Sequence, residues 1–69
     1  MSPDEAVVGK LGTVTHPITP GHTGEVLVHI RGGTETYMAV SDEELEKGRE
    51  VLVIGQRSAR TVEVTPFVA

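Results

Sequence analysis

The sequence has no cysteine and no tryptophan, and its only aromatic side chains are Tyr37 and Phe67. Without cysteine there is no disulfide and no thiolate metal site. That excludes the stapled class of small secreted domains. Without aromatic platforms there is little for exposed bases to stack on. Cations are scarce too: six Lys and Arg stand against ten Asp and Glu, a formal net charge of −4. Such a surface repels phosphate backbones, so nucleic acid is a poor partner on electrostatic grounds. No apolar run approaches the roughly 20 residues a membrane-spanning helix needs. The opening Met1-Ser2-Pro3-Asp4-Glu5 puts acidic residues before the first apolar stretch. A signal peptide would start with basic ones.

What the chain has instead is valine and glycine in a spaced order. Its 69 residues are enough for one domain. A domain of that size buries about 60% of its unfolded surface. Residues 1–5 read as a polar, flexible lead, and residues 6–69 as a single domain. From Ala6 to His16 the chain is strand-like, interrupted by Gly9 and Gly12. Leu11 and Val14 differ in parity, so a bulge at Gly12 is expected to bring both inside. Pro17 to His22 is a loop, since two prolines and a glycine oppose regular pairing. Thr23 to Arg31 alternates clearly: Val26, Val28 and Ile30 on one face, Glu25, Leu27, His29 and Arg31 on the other. Gly32-Gly33 supplies a tight turn with positive φ. Thr34 to Val40 then returns with Tyr37 and Ala39 inward.

Ser41-Asp42-Glu43-Glu44 has the spacing of a capping box, which predicts a short helix at about residues 41–47. Leu45 is its apolar anchor, expected to plug one end of the barrel, and Gly48 its stop. Arg49 to Gly55 is a further strand, with Val51 and Val53 inward. Gln56-Arg57-Ser58 is read as the next turn, and Ala59 to Thr65 as the last strand, with Val62 and Val64 inward. The order predicts an all-β fold: a five-stranded OB-fold, a Greek-key barrel, with one short helix between strands three and four. An SH3-like barrel also has five strands. It usually lacks a central helix and carries more aromatics, so the OB-fold is preferred.

Few residues carry chemistry. His16, His22 and His29 invite a metal reading. No cysteine accompanies them, and surface histidines near a loop account for them better. Ser41 and Ser58 sit in cap and turn contexts, with no Gly-x-Ser-x-Gly elbow around them. Asp42, Glu43, Glu44 and Glu46 suit a solvated helix start. Neither Gly9-Lys10-Leu11-Gly12 nor Gly21-His22-Thr23-Gly24 has full P-loop spacing. No catalytic residue, metal ligand or cofactor is therefore assigned. The nucleic-acid face of an OB-fold lies on strands two and three. Here it would show Glu25, Leu27, His29, Arg31, Thr36 and Met38, with no aromatic platform. The same face suits a protein partner better. Leu27 and Met38 are apolar but point outward by parity, and Leu52 and Ile54 add a second pair. With His29 they form the candidate partner-binding set.

In order along the chain, Gly9 and Gly12, Pro20 through Gly24, the Gly32-Gly33 turn leading to Ala39, and the acidic turn ending in Lys47-Gly48 resemble the soluble C-terminal domain of the NfeD-like family. Val51, Val53, Val62 and Val64 close the pattern, which runs from about Val8 to Phe67. The resemblance implies an OB-fold without known catalysis. Members usually attach this domain to transmembrane helices and are encoded beside stomatin-like (SPFH) membrane proteins. The domain is regarded as an interaction module for them, and some longer members add a serine protease domain. This sequence shows neither a transmembrane helix nor a protease segment, and its Pro17 to Thr23 stretch is longer than the family norm. Two origins stay open: the soluble piece of a longer membrane protein, or a free-standing short version. The expected function is a non-catalytic interaction module that binds a stomatin-like scaffold protein or itself. It would meet a membrane only through segments absent here. The alternatives are a free-standing nucleic-acid-binding OB domain, or a regulatory domain attached to a membrane protease.

Overall fold

Valine at alternate positions decides the architecture. Every second side chain of a strand shares a face, and β-branched residues fill a half-buried pleated surface well. The computed structural model describes residues 7–30 and 32–68. It shows five strands: β1 (Leu11–His16), β2 (Gly24–Ile30), β3 (Gly33–Val40), β4 (Glu50–Ser58) and β5 (Thr61–Pro66). They close into a barrel in the order β1-β2-β3-β5-β4, and β4 returns to β1. Every neighbouring pair is antiparallel except β3 and β5, which run parallel. This is the five-stranded OB-type barrel the alternation predicts. The lead expected at residues 1–5, the expected strand start at Ala6 and the Arg31 end of the second strand lie outside the described residues.

The core is built from Val14, Val26, Val28, Ala39, Val51, Val53, Val62 and Val64 on the strands. Val7, Ile18 and Leu45 join them from outside the strands, and Ile30 and Tyr37 pack against the edge. Each fully buried valine contributes roughly 1.5–3 kcal/mol. So narrow a barrel is filled by its own side chains. Ligands and partners are left with the outside.

The expected bulge at Gly12 is not there. Gly12, Thr13 and Val14 pair without interruption with Val28, Leu27 and Val26. Gly12 and Val14 therefore face inward together, and Leu11 faces out. Gly12 is needed for closeness instead: a Cβ there would lie 2.8 Å from the Leu27 carbonyl oxygen. The irregularity falls three residues later, between Val14 and His16. Around it the Thr15 hydroxyl donates to Glu25 Oε1 at 2.7 Å, and His16 Nδ1 lies 2.9 Å from the same oxygen. The Thr15 hydrogen bond, with that of His16 next, holds the Glu25 carboxyl below its ordinary value.

The helix expected at residues 41–47 is also absent. No helix occurs among the described residues, and none is long and apolar enough to cross a membrane. The local cap signal loses to a long-range bridge. Leu45 N–H donates to the Ile18 carbonyl at 2.8 Å, and Ile18 N–H returns a bond to Leu45 O at 2.9 Å. A helix would have used that Leu45 N–H for the carbonyl of Ser41. Ser41 Oγ accepts the Glu43 N–H at 3.1 Å, a two-residue serine turn in place of a capping box. Gly48, at φ +92°, then reverses the chain, with Arg49 N–H donating to Glu46 O at 3.1 Å. Leu45 is buried as expected, delivered by a loop.

The last hairpin turns later than expected. Gln56, Arg57 and Ser58 belong to β4, and the reversal falls at Ala59 and Arg60. Register shifts between Val53 and Gly55, and between Gln56 and Ser58, insert Ile54 and Arg57 as extra residues. In the first hairpin only Gly32 takes a positive φ, +82°, while Gly33 pairs with Ile30 inside the ladder. The β3–β5 ladder is short, joining Met38, Ala39 and Val40 to Thr61, Val62 and Glu63. Before it, β3 pairs with β2 alone. There the Arg60 guanidinium donates to Thr36 O at 2.8 Å, lies 3.7 Å from Glu35 Oε1 and sits 5.3 Å above the Tyr37 ring.

Three outcomes follow from this packing. Leu45→Ala removes a fully buried anchor and should cost about 2–5 kcal/mol in denaturant titration. Gly24→Ala should destabilise the fold far more than Gly33→Ala. A Cβ at Gly24 meets His16 O at 2.5 Å, whereas at Gly33 it meets nothing within 4 Å. The third concerns pH. A depressed carboxyl stabilises the fold above its unfolded pKa, and that contribution is lost as pH falls through the folded value. Thr15→Val should raise the Glu25 pKa, read by carboxyl NMR titration, back toward the ordinary 4.5. It should lower stability at neutral pH and leave stability below the folded pKa unchanged.

Candidate partner-binding wall

Closure of the barrel assigns each residue of β1, β2 and β4 to the core or to the outer wall by parity. The outward residues are Leu11, Thr13 and Thr15 on β1 and Glu25, Leu27 and His29 on β2. Facing them on the neighbouring strands are Thr36 and Met38 on β3, and Glu50 and Leu52 on β4. Leu27 is half-buried between its direct neighbours Thr13 and Thr36. Met38 is 52% exposed and stands between Glu25 and Thr61. Leu52 is half-buried between Leu11 and Thr65. Ile54 is 48% exposed, turned out at the β4 irregularity. His29 is exposed opposite Thr34.

The structure brings four of these positions into one oblique stripe. Leu52 and Leu11 are directly opposite. Leu27 lies two residues along from the end of β2 that flanks Leu11. Met38 lies two residues along from Thr36, the partner of Leu27. Such diagonal neighbours stand about 7–8 Å apart, within reach of long side chains. Leu11 is the member that sequence reasoning missed. Its parity with Thr13 and Thr15 already pointed outward, and the bulge argument overrode it. Ile54 extends the stripe along β4. His29 sits beside it as a polar neighbour.

The remaining polar groups are largely occupied with one another. His16 faces Glu25, and His22 shares a two-way backbone bridge with Thr19. Among the described residues no three His, Cys, Asp or Glu side chains gather in one place. A polar groove of about 490 Å³ runs between the β1–β2 loop and the barrel, lined by His22, Ser41, Asp42, Arg57 and Glu63. Arg57 Nε lies 3.5 Å from Glu63 Oε1 inside it. A smaller groove, about 350 Å³, lies on the other side of Thr19 against Glu44, Glu46 and Arg49. Ser41, the hydroxyl beneath the larger groove, accepts a backbone N–H from Glu43. No described base stands within hydrogen-bond distance of it.

The family model of the NfeD C-terminal domain matches residues 11–65. The soluble domain of the NfeD protein YuaF from Bacillus subtilis, solved in solution, is 33% identical with a TM-score of 0.74. That match covers 91% of this chain and 75% of the other. The C-terminal domain of stomatin operon partner protein 1510-C from Pyrococcus horikoshii is 27% identical with a TM-score of 0.73, and both chains are covered completely. No curated protein matches the sequence. The NfeD C-terminal domain is not a known enzyme family. The matched span takes in all of β1 to β4 and all of β5 but its last residue. The spaced glycines and paired valines are thus those of a known domain type, and this chain belongs to the NfeD C-terminal domain family.

Proposed function

We propose that this domain is a non-catalytic interaction module whose outer wall docks a stomatin-like membrane protein. The observation that carries the reading is the apolar stripe of Leu11, Leu27, Met38 and Leu52, placed on strands whose other face is committed to the core. A structural relative is named as a stomatin operon partner, which supports a stomatin-like protein as the partner class. The non-catalytic part is supported by the state of the polar side chains. Glu25 is held by Thr15 and His16, Arg57 by Glu63, and Arg60 by Glu35 and Thr36. Nucleic-acid binding is disfavoured by the same wall, which offers threonine and leucine where base stacking needs aromatic rings.

The test is the double variant Leu27→Ser, Met38→Ser. Each large apolar side chain buried against a partner contributes roughly 1.5–3 kcal/mol. Losing both should weaken binding to a stomatin-like protein of the same organism by at least about a hundredfold in isothermal titration. The melting temperature should stay nearly unchanged. Wild-type affinity in the folded variant would remove the wall from the function, and unfolding would return both residues to the core.

A further inference from the structure

The wall also carries a sign. Its charged residues beside the stripe are Glu25 on β2 and Glu50 on β4; Glu35, exposed on β3, is paired with Arg60. Glu25 pairs with Met38, and Glu50 pairs with Thr13, the direct neighbour of Leu27. Among the described residues no lysine or arginine belongs to β1, β2, β3 or the first half of β4; the Arg60 guanidinium reaches the β3 edge from the β4–β5 turn, where Glu35 balances it. The Glu25 carboxyl is held in its charged form by Thr15 and His16. Glu50 is exposed. The chain as a whole is at −4.

An apolar stripe bordered by carboxylates selects its partner by charge as well as by shape. Two copies of this wall brought together would gather the Glu25 and Glu50 carboxylates of both in one interface. That juxtaposition is unfavourable at an interface. A segment with apolar anchors flanked by lysine or arginine meets the same wall with opposite charges. The dimensions suit one short element. One level step and two oblique steps between strands give a stripe of roughly 20 Å, the length of a helix of about 14 residues.

We infer that the wall docks an amphipathic, basic segment of another protein, its apolar face on the stripe and its lysines or arginines over Glu25 and Glu50. This rests on the wall being the docking surface and adds the chemistry of what docks there.

The experiment titrates the isotope-labelled 69-residue chain with two designed peptides of about 14 residues. They share one leucine pattern. One carries lysine at every polar position and the other carries glutamate. Amide shifts map the contact. The lysine peptide should move the resonances of Leu11, Leu27, Met38 and Leu52 and bind about tenfold more tightly than the glutamate peptide at moderate salt. Glu50→Lys, a change at an exposed site, should reduce that preference by about threefold or more. Equal affinity for the two peptides overturns the inference. So do shifts confined to the acidic loop 42–46, which any cation would produce. The Leu27→Ser, Met38→Ser variant separates the two levels. If it loses both peptides while their wild-type affinities are equal, the wall stands and its charge selectivity falls. If it binds the lysine peptide as the wild type does, the wall falls as well.

Discussion

Each strand of a closed five-stranded barrel has one face for a shared interior and one face for everything else. The interior here is narrow, and valine side chains with Ala39, Ile18 and Leu45 occupy it. That constraint ties stability and recognition to a single variable, the parity of each strand. A residue that changes parity leaves one role and takes up the other, because there is no third surface. Leu11 shows this directly. Moving it from the expected interior to the exterior takes nothing from the core, since Gly12 and Val14 fill the inner face of β1. It joins Leu52 to Leu27 outside.

The barrel was legible because its signals are periodic. Val26 and Val28, Val51 and Val53, and Val62 and Val64 repeat at two residues and all lie inside. The first hairpin turn was legible because glycine between two alternating segments marks a positive φ, which Gly32 takes while Gly33 joins the ladder. The helix at residues 41–47 was misread because Ser41 and Glu44 form a local signal, while the deciding contact joins Leu45 to Ile18, 27 positions earlier. No window of neighbouring residues contains that contact. The late turn at Ala59 and Arg60 was hidden for another reason. Neither residue has turn chemistry, and Gln56 secures the reversal by donating to Ser58 O at 2.9 Å. Of the wall, Leu27, Met38, Leu52 and Ile54 could be read from alternation. Their assembly into a stripe could not, since it depends on the β1–β4 register that closes the barrel.

The two loops that meet at Ile18 and Leu45 form the other end of the molecule and differ in kind from the wall. They are polar, grooved and rich in carboxylates, with Asp42, Glu43, Glu44 and Glu46 all exposed. Their buried members, Ile18 and Leu45, are structural, so the barrel closes on two aliphatic side chains delivered by irregular backbone. Exposed carboxylates around a buried plug keep that end hydrated. The domain is therefore two-sided: one flank of apolar strand surface and one solvated end.

Arg60 gives the fold a property that none of its hydrophobic contacts supplies. Beyond the short β3–β5 ladder, β3 has backbone groups with no neighbouring strand. Such an exposed edge is a template on which other chains can polymerise. A guanidinium laid across Thr36 O, balanced by Glu35 and stacked on Tyr37, replaces the missing strand with a side chain that cannot propagate a sheet. The segment of β3 that lacks a strand partner is thus covered by a side chain, which removes the template on which another strand could pair.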